Sequence, residues 1–278
     1  MRLASFIPPS GERPAADGGS ADGGRAAGDT LAGLVEDGRV RALADPRTSV
    51  LDCLRDPALA VAGERSFALA DVRLLAPVPA PRAIFGIGMN YADHVAELGA
   101  SAPEIPIVFM KLPSSAAPPN APVRCPAAVK RLDYEGELAV VMGSAGAVAG
   151  YAVADDVSAR DLQKRELQWT RAKGADGFCP YGPWITTADE VADPHSLWLR
   201  TWVGGELRQD SSTSNLIFKI DELIAFIAET CTLQPGDLIL TGTPGGVGIG
   251  FDPPRLLSPG DVVRIEIESL GAIEHAIA

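Results

Sequence analysis

Three acidic side chains at alternate positions, Asp133, Glu135 and Glu137, run straight into the apolar stretch Leu138-Ala139-Val140-Val141-Met142. Alternate side chains of an extended strand share a face, so these carboxylates are expected to project together while Tyr134, Leu138, Val140 and Met142 line the other side. Gly136 is read as keeping a side chain out of the gap between the glutamates. Two carboxylates one strand repeat apart repel unless protonated or sharing a cation, and a hard divalent ion with oxygen ligands removes the conflict. The competing reading is the solvated face of an edge strand.

A third carboxylate is available at Asp156, where the strand Gly150-Tyr151-Ala152-Val153-Ala154 gives way to Ser158-Ala159-Arg160-Asp161. Three protein oxygens would leave coordination positions for water and substrate. Asp155 competes for that role, with turn formation as its structural alternative. His94 and Glu97 lie three apart in Tyr91-Ala92-Asp93-His94-Val95-Ala96-Glu97-Leu98, on one face of an expected helix. A carboxylate beside an imidazole orients the ring and raises its basicity, which is what activating water near neutral pH requires. An ordinary surface pair has the same spacing. Lys111, at the end of the strand Ile107-Val108-Phe109-Met110-Lys111, either steadies an anionic substrate or is solvated. Lys173 sits in a glycine-bearing loop, where a lysine is usually solvated. Thr241-Gly242-Thr243-Pro244-Gly245-Gly246-Val247-Gly248 lacks the Gly-Lys-Ser/Thr of a Walker loop. Its free N–H groups and the Thr243 hydroxyl can cradle a carboxylate, unless the glycines serve chain geometry alone. Gly86-x-Gly88 is no dinucleotide fingerprint, because Tyr91 stands where the third glycine belongs.

These residues need elements to hold them. Strands are expected at Arg2–Ile7, around Val72–Leu75, over Ala83–Gly88, at Trp184–Thr186 and at Leu199–Val203. Asp37-Gly38 and Gly204-Gly205 mark hairpins. Short helices are expected around Ser49–Arg55, from Asn90 as N-cap, and from Ser158 with Asp161 as a capping box carrying Leu162, Gln163, Leu167 and Trp169. Ile217, Ile220, Leu223, Ile224 and Ile227 recur at helical spacing. Pro235-Gly236-Asp237 and Pro259-Gly260-Asp261 each specify a type II turn before a strand. The organisation expected is a small N-terminal domain over 1–78, with a flexible Pro/Gly/Ala-rich loop at about 8–29, followed by a larger domain over 79–278.

At 278 residues, with 46% hydrophobic positions, the chain can bury a substantial core. A formal net charge of −12 argues against nucleic acid or an anionic membrane as partner. The four cysteines are scattered, without C-x-x-C spacing or a preceding signal peptide, and read as reduced core or near-core thiols of a cytoplasmic protein.

Together GMNYADHVAELG, DYEGELAVVMG, DDVSARDLQ, KGADGFCPYGP, LQPGDLILTGTPGGVG and the closing PGDVVRIEI resemble the fumarylacetoacetate hydrolase superfamily, running in family order from Ile84 to Glu268. The resemblance implies an α+β, β-rich fold: a mixed β-sandwich or roll with peripheral helices, usually assembled as a homodimer. It implies Mg²⁺ or Mn²⁺ on Glu135, Glu137 and Asp156, with Ca²⁺ able to substitute in crystals. It sets Gln163, Lys173 and Thr243 around the carboxylate and keto oxygens of a small anionic 2-oxo acid. His94 and Glu97 become the water-activating pair, on a segment that orders with substrate. Relatives of this kind hydrolyse acylpyruvates or fumarylpyruvate, decarboxylate oxaloacetate, or act as hydratases and isomerases in aromatic catabolism. The leading expectation is metal-dependent hydrolysis of a C–C bond in 2,4-dioxo acids. A decarboxylase or isomerase using the same metal site is the second, and a non-catalytic binding protein on the same fold the third.

Overall fold

The computed structural model describes residues 1–10 and 30–278. Apart from residues 8–10, the loop expected over about 8–29 lies outside the described residues. One large mixed sheet carries, in spatial order, Ala62–Ala68, Arg39–Leu43, Leu31–Glu36, Arg2–Ile7, Cys179–Thr187, Val148–Asp155, Gly136–Met142, Leu238–Leu240, Ile84–Gly88 and Ile107–Lys111. Neighbours along this path are antiparallel except Leu238–Leu240 beside Ile84–Gly88. The N-terminal strands meet the others where Arg2–Ile7 pairs with Cys179–Thr187. A second, antiparallel sheet orders Glu206–Ser212, Trp198–Val203, Val262–Ile267 and Gly271–Ala276. The fold is thus α+β and rich in strand.

Gly136–Met142 is central and buried at every position, not a strand with a wet face. Its two-residue period divides two cores. Leu138, Val140 and Met142 join Leu199, Ile265 and Ile273 of the second sheet and Leu223 of the helix Ile220–Ala228. Ala139 and Val141 pack on the opposite side with Val50, Cys53 and Leu54 of the helix Val50–Arg55. Each Val or Leu enclosed in this way contributes about 1.5–3 kcal/mol relative to exposure. The hairpins turn at Asp37 and Gly38 and at Gly204 and Gly205, all with positive φ. Gly236 and Gly260 have positive φ as well, as type II turns require after proline.

Three local expectations are corrected. Asn90 does not cap the helix Ala92–Glu97, whose N-cap is Tyr91. The Asn90 amide instead donates to the carbonyls of Phe218 and Thr241 and accepts from the Phe218 N–H, stitching a strand end to a distant loop. Ser158 and Asp161 form no capping box: the Ser158 hydroxyl donates to the Asp156 carbonyl, and Asp161 accepts from the Lys130 N–H. The helix they were to start is two short ones, Arg160–Arg165 and Thr170–Lys173, with Leu167 at the break and 99% exposed. All four cysteines are free thiols; Cys53 and Cys179 are buried, but Cys231 is exposed.

Candidate metal and 2-oxo acid site

The acidic segment departs from one continuous strand, and the departure builds the site. Leu132–Asp133 pairs with Ser158–Ala159, and the main ladder resumes only at Gly136. The break interrupts the period of two, so Asp133 does not share a face with the glutamates. Its carboxylate accepts from Arg160 Nε at 2.8 Å and from the N–H groups of Gly248, Ile249 and Tyr134 at 2.8, 3.0 and 3.0 Å. Glu135, Glu137 and Asp156 do converge, offering buried ligand oxygens within 4.8 Å of one another. Backbone bonds set that convergence: the Asp156 N–H donates to the Glu135 carbonyl, and the Glu135 N–H donates to Asp155 Oδ1, both at 2.9 Å. Asp155 is held on its other oxygen by His275 Nε2 at 2.9 Å, so it supports the cluster from behind. Gly136 proves to serve the sheet packing. A Cβ there would stand 2.4 Å from Thr201 Oγ1, rather than between the glutamates.

Buried cations share the cluster. Lys111 Nζ lies 2.5 Å from Asp156 Oδ1, and Lys173 Nζ lies 2.6 Å from Glu135 Oε2 and 2.7 Å from Asp156 Oδ2. Arg160 Nη1 reaches Glu135 Oε1 at 2.6 Å. Burial alone would raise Glu135, but the Lys173 ammonium and Arg160 guanidinium outweigh it and hold the carboxyl at about 2. Glu137 has no such partner. Burial, with the charges of Asp156 and Glu135 beside it, pushes it well above the ordinary glutamate range, and the nearby Lys173 charge and the Gly242 N–H at 2.7 Å offset this only partly. Burial disfavours charge on Lys173 too, yet Asp156 and Glu135 prevail and raise it, so it remains an ammonium. Three buried carboxylates around one point, one of them without a cation, are a donor set that suits a hard divalent metal.

The cluster opens into a cavity of about 520 Å³ lined by Glu135, Lys173, Gln163, Thr243 and His94, within the usual range of small-molecule sites. His94 Nδ1 is 3.1 Å from Glu97 Oε2, and the other oxygen of Glu97 accepts from the Gly246 N–H at 2.8 Å. The strand-to-helix connection that delivers this pair passes through Met89, at φ 57° and on the cavity wall. Gln163 Oε1 accepts from Arg160 Nη1 at 3.0 Å. Lys111 is absent from the cavity lining, its ammonium being directed at Asp156. The glycine-rich loop does cradle carboxylates, but they are the protein's own: Gly242 serves Glu137, Gly246 serves Glu97, and Gly248 with Ile249 serve Asp133. Gly242 has φ +101°, and a Cβ there would meet Asn90 Cβ at 2.9 Å, so glycine is required to bring this N–H to Glu137.

Sequence reasoning missed three contributors. Arg160 was legible as part of the D-x-S-A-R-D pattern four residues after Asp156, but nothing local indicated that it bridges Asp133 and Glu135. Gln209 accepts from the Gly136 N–H and donates to Thr243 Oγ1 and the Pro244 carbonyl, locking the glycine-rich loop to the acidic strand. Thr243 in turn donates to the Gly136 carbonyl at 2.9 Å. Neither Gln209 nor His275 carries a spacing signal.

The family profile described as "Fumarylacetoacetate (FAA) hydrolase C-terminal" matches residues 83–278. The mitochondrial oxaloacetate tautomerase fahd2 of Xenopus laevis is 46% identical over 220 residues, 75% of this chain and 69% of that protein. Among solved structures, the 2-hydroxyhepta-2,4-diene-1,7-dioate isomerase of Mycobacterium marinum has a TM-score of 0.79 at 34% identity, covering 100% of this chain and 98% of its own. The maleylpyruvate hydrolase of Sphingobium sp. SYK-6, in complex with manganese(II) and pyruvate, has a TM-score of 0.75 at 31% identity, covering 100% and 99%.

Proposed function

This chain belongs to the fumarylacetoacetate hydrolase family, and from that premise we propose that it is a divalent-metal-dependent enzyme that moves a proton beside the keto group of a small 2-oxo acid, as a tautomerase or isomerase. The observation that carries the reading is the meeting of Glu135, Glu137 and Asp156 with Lys173, at the edge of a cavity lined by Glu135, by Lys173 and by His94, which Glu97 holds through Nδ1. Glu135, Glu137 and Asp156 would hold Mg²⁺ or Mn²⁺. Such an ion, when bound, supplies Lewis-acid polarisation of a 2-oxo acid's carboxylate and keto oxygens.

The chain's own groups do the remaining work. Lys173, kept protonated by its two carboxylate neighbours, is a donor for an oxygen on which negative charge grows as the C3 proton leaves. His94 is held through Nδ1 by Glu97, which leaves Nε2 as the ring nitrogen for the proton in transit. Gln163 and Thr243 border the same space and orient the acid. Leu98, Ile107 and Trp169 supply an apolar wall to the same cavity.

The same His94–Glu97 pair favours a second reading, hydrolysis of a C–C bond in 2,4-dioxo acids, with His94 activating water and Lys173 steadying the enolate that departs. One assay pair separates the two. Enol–keto conversion of oxaloacetate and cleavage of acylpyruvates are followed with and without Mn²⁺, in wild type and His94→Ala. A tautomerase converts oxaloacetate enol and leaves acylpyruvates intact; a hydrolase cleaves acylpyruvates and loses about 10²–10⁴-fold of that rate in His94→Ala. Full activity of both kinds in chelator sinks both.

A further inference from the structure

The strand Gly271–Ala276 follows a two-residue period: Ile273 and, just past its end, Ile277 enter the apolar core, and the position between them on that face is His275, 2% exposed. An imidazole there gives up hydration that an aliphatic side chain would not miss, so its partner is informative. The ring meets Asp155 Oδ2 through Nε2 at 2.9 Å, and both side chains are fully buried. Because a carboxylate oxygen accepts, Nε2 carries the hydrogen. Nδ1 is left as a bare acceptor, buried and without a partner among the described residues.

Asp155 passes the constraint on to the acidic cluster. Its Oδ1 accepts from the Glu135 N–H at 2.9 Å, the Glu135 carbonyl accepts from the Asp156 N–H at 2.9 Å, and the next amide, that of Gly136, donates to Gln209 at 3.0 Å. With the ladder broken between Asp133 and Gly136, the side chains of Asp155 and Gln209 take the two amides that flank the Glu135 α-carbon. They therefore fix its φ and ψ, and with them the direction of the Glu135 carboxylate. Gln209 and His275 stand on Glu206–Ser212 and Gly271–Ala276, the two outer strands of the second sheet. Gln209 also holds Thr243 and Pro244, whereas the His275 ring bonds only to Asp155 among the described residues. Any influence it has on the cluster runs through that one contact.

We propose that His275 is a positioning residue for the metal site: through Asp155 it fixes the backbone at Glu135, and so the second sheet sets the affinity of Glu135, Glu137 and Asp156 for a divalent ion. The inference rests on the metal reading of those three carboxylates. Its test is calorimetric titration with Mn²⁺ of wild type, His275→Gln and His275→Leu, beside their melting temperatures. Glutamine brings an N–H to the place of Nε2 and keeps the wild-type affinity to within about threefold, whereas leucine has no donor and weakens Mn²⁺ about 10–100-fold. NMR of the ring nitrogens reads the same link in wild type. The chain has three histidines, and the signal missing from His275→Gln identifies the one in question. Its Nε2–H is protected from solvent exchange and shifts as diamagnetic Mg²⁺ is added. Equal Mn²⁺ affinity in wild type and His275→Leu, with only the melting temperature lowered, makes the pair structural and overturns the inference. Equal losses in the glutamine and leucine variants overturn it too, as does a His275 ring signal indifferent to Mg²⁺, which decides alone if His275→Leu does not fold. Wild type that binds no Mn²⁺ overturns instead the metal reading beneath it.

Discussion

Glu137 is the residue at which the site's electrostatics are most exposed to test. Its neighbours Glu135 and Asp156 are paired with lysines, whereas Glu137 receives only a backbone N–H. With its folded pKa raised well above 4.5, the group contributes stability that is fully present below about pH 4.5 and lost as pH rises through the folded value. Glu135, held at about 2, works in the opposite sense and in a separate window: its contribution is present above about pH 4.5 and lost as pH falls toward 2. In chelator, therefore, the melting temperature of wild type falls on going from mildly acidic to neutral pH. Glu137→Gln flattens that slope while weakening Mn²⁺ binding by tenfold or more. Melting curves at several pH values, with calorimetry of Mn²⁺, check both; parallel slopes for the two proteins would reject the assignment.

The glycine-rich loop and the helix Ala92–Glu97 act as one unit at the element scale. A Cβ on Gly250 would lie 2.4 Å from Glu97 Cδ and 2.5 Å from its Oε1. The clash falls on the end of a flexible side chain, so Gly250→Ala is expected to fold with a stability loss of about 1 kcal/mol or less. Displacing the Glu97 carboxylate from His94 should lower kcat by about 10²-fold, close to Glu97→Ala, with metal affinity unaltered. Steady-state kinetics beside a metal titration decides this. The linkage was only half visible beforehand. The helical His94–Glu97 spacing is local, as are the Asp37-Gly38 and Pro-Gly turns, and such features follow from backbone geometry over a few residues. The capping roles expected of Asn90 and Ser158 failed because their polar groups found distant or backbone partners, which outweighed the local signal.

For the whole molecule, the end of the large sheet matters most. Ile107–Lys111 is its terminal strand, and Ile105, Ile107, Val108, Met110 and Leu112 are exposed there. A long apolar edge left open invites strand pairing and aggregation, so a cover is expected. A second copy of the chain is the cover consistent with the homodimer implied by the sequence resemblance. Val108→Lys with Met110→Lys should convert the dimer to monomer in sedimentation velocity; because Ile107 and Phe109 line the cavity, kcat should fall as well. A wild-type monomer would remove that expectation. No helix among the described residues is long and apolar enough to cross a membrane.

What the sequence by itself determined was set by short periods: the two glutamates two apart, one just before the strand Gly136–Met142 and one within it, the histidine and carboxylate on one helical face, the Pro-Gly turns, and through them the family resemblance. Tertiary structure alone decided that Asp133 leaves the glutamates for the N–H of Gly248, 115 positions away, and that Gln209 ties Gly136 to Thr243. It also decided that Arg160 closes on two carboxylates. The physical reason is that a buried charge or amide takes whatever partner the packing of remote strands brings within hydrogen-bond reach, and that distance is not encoded in any local spacing.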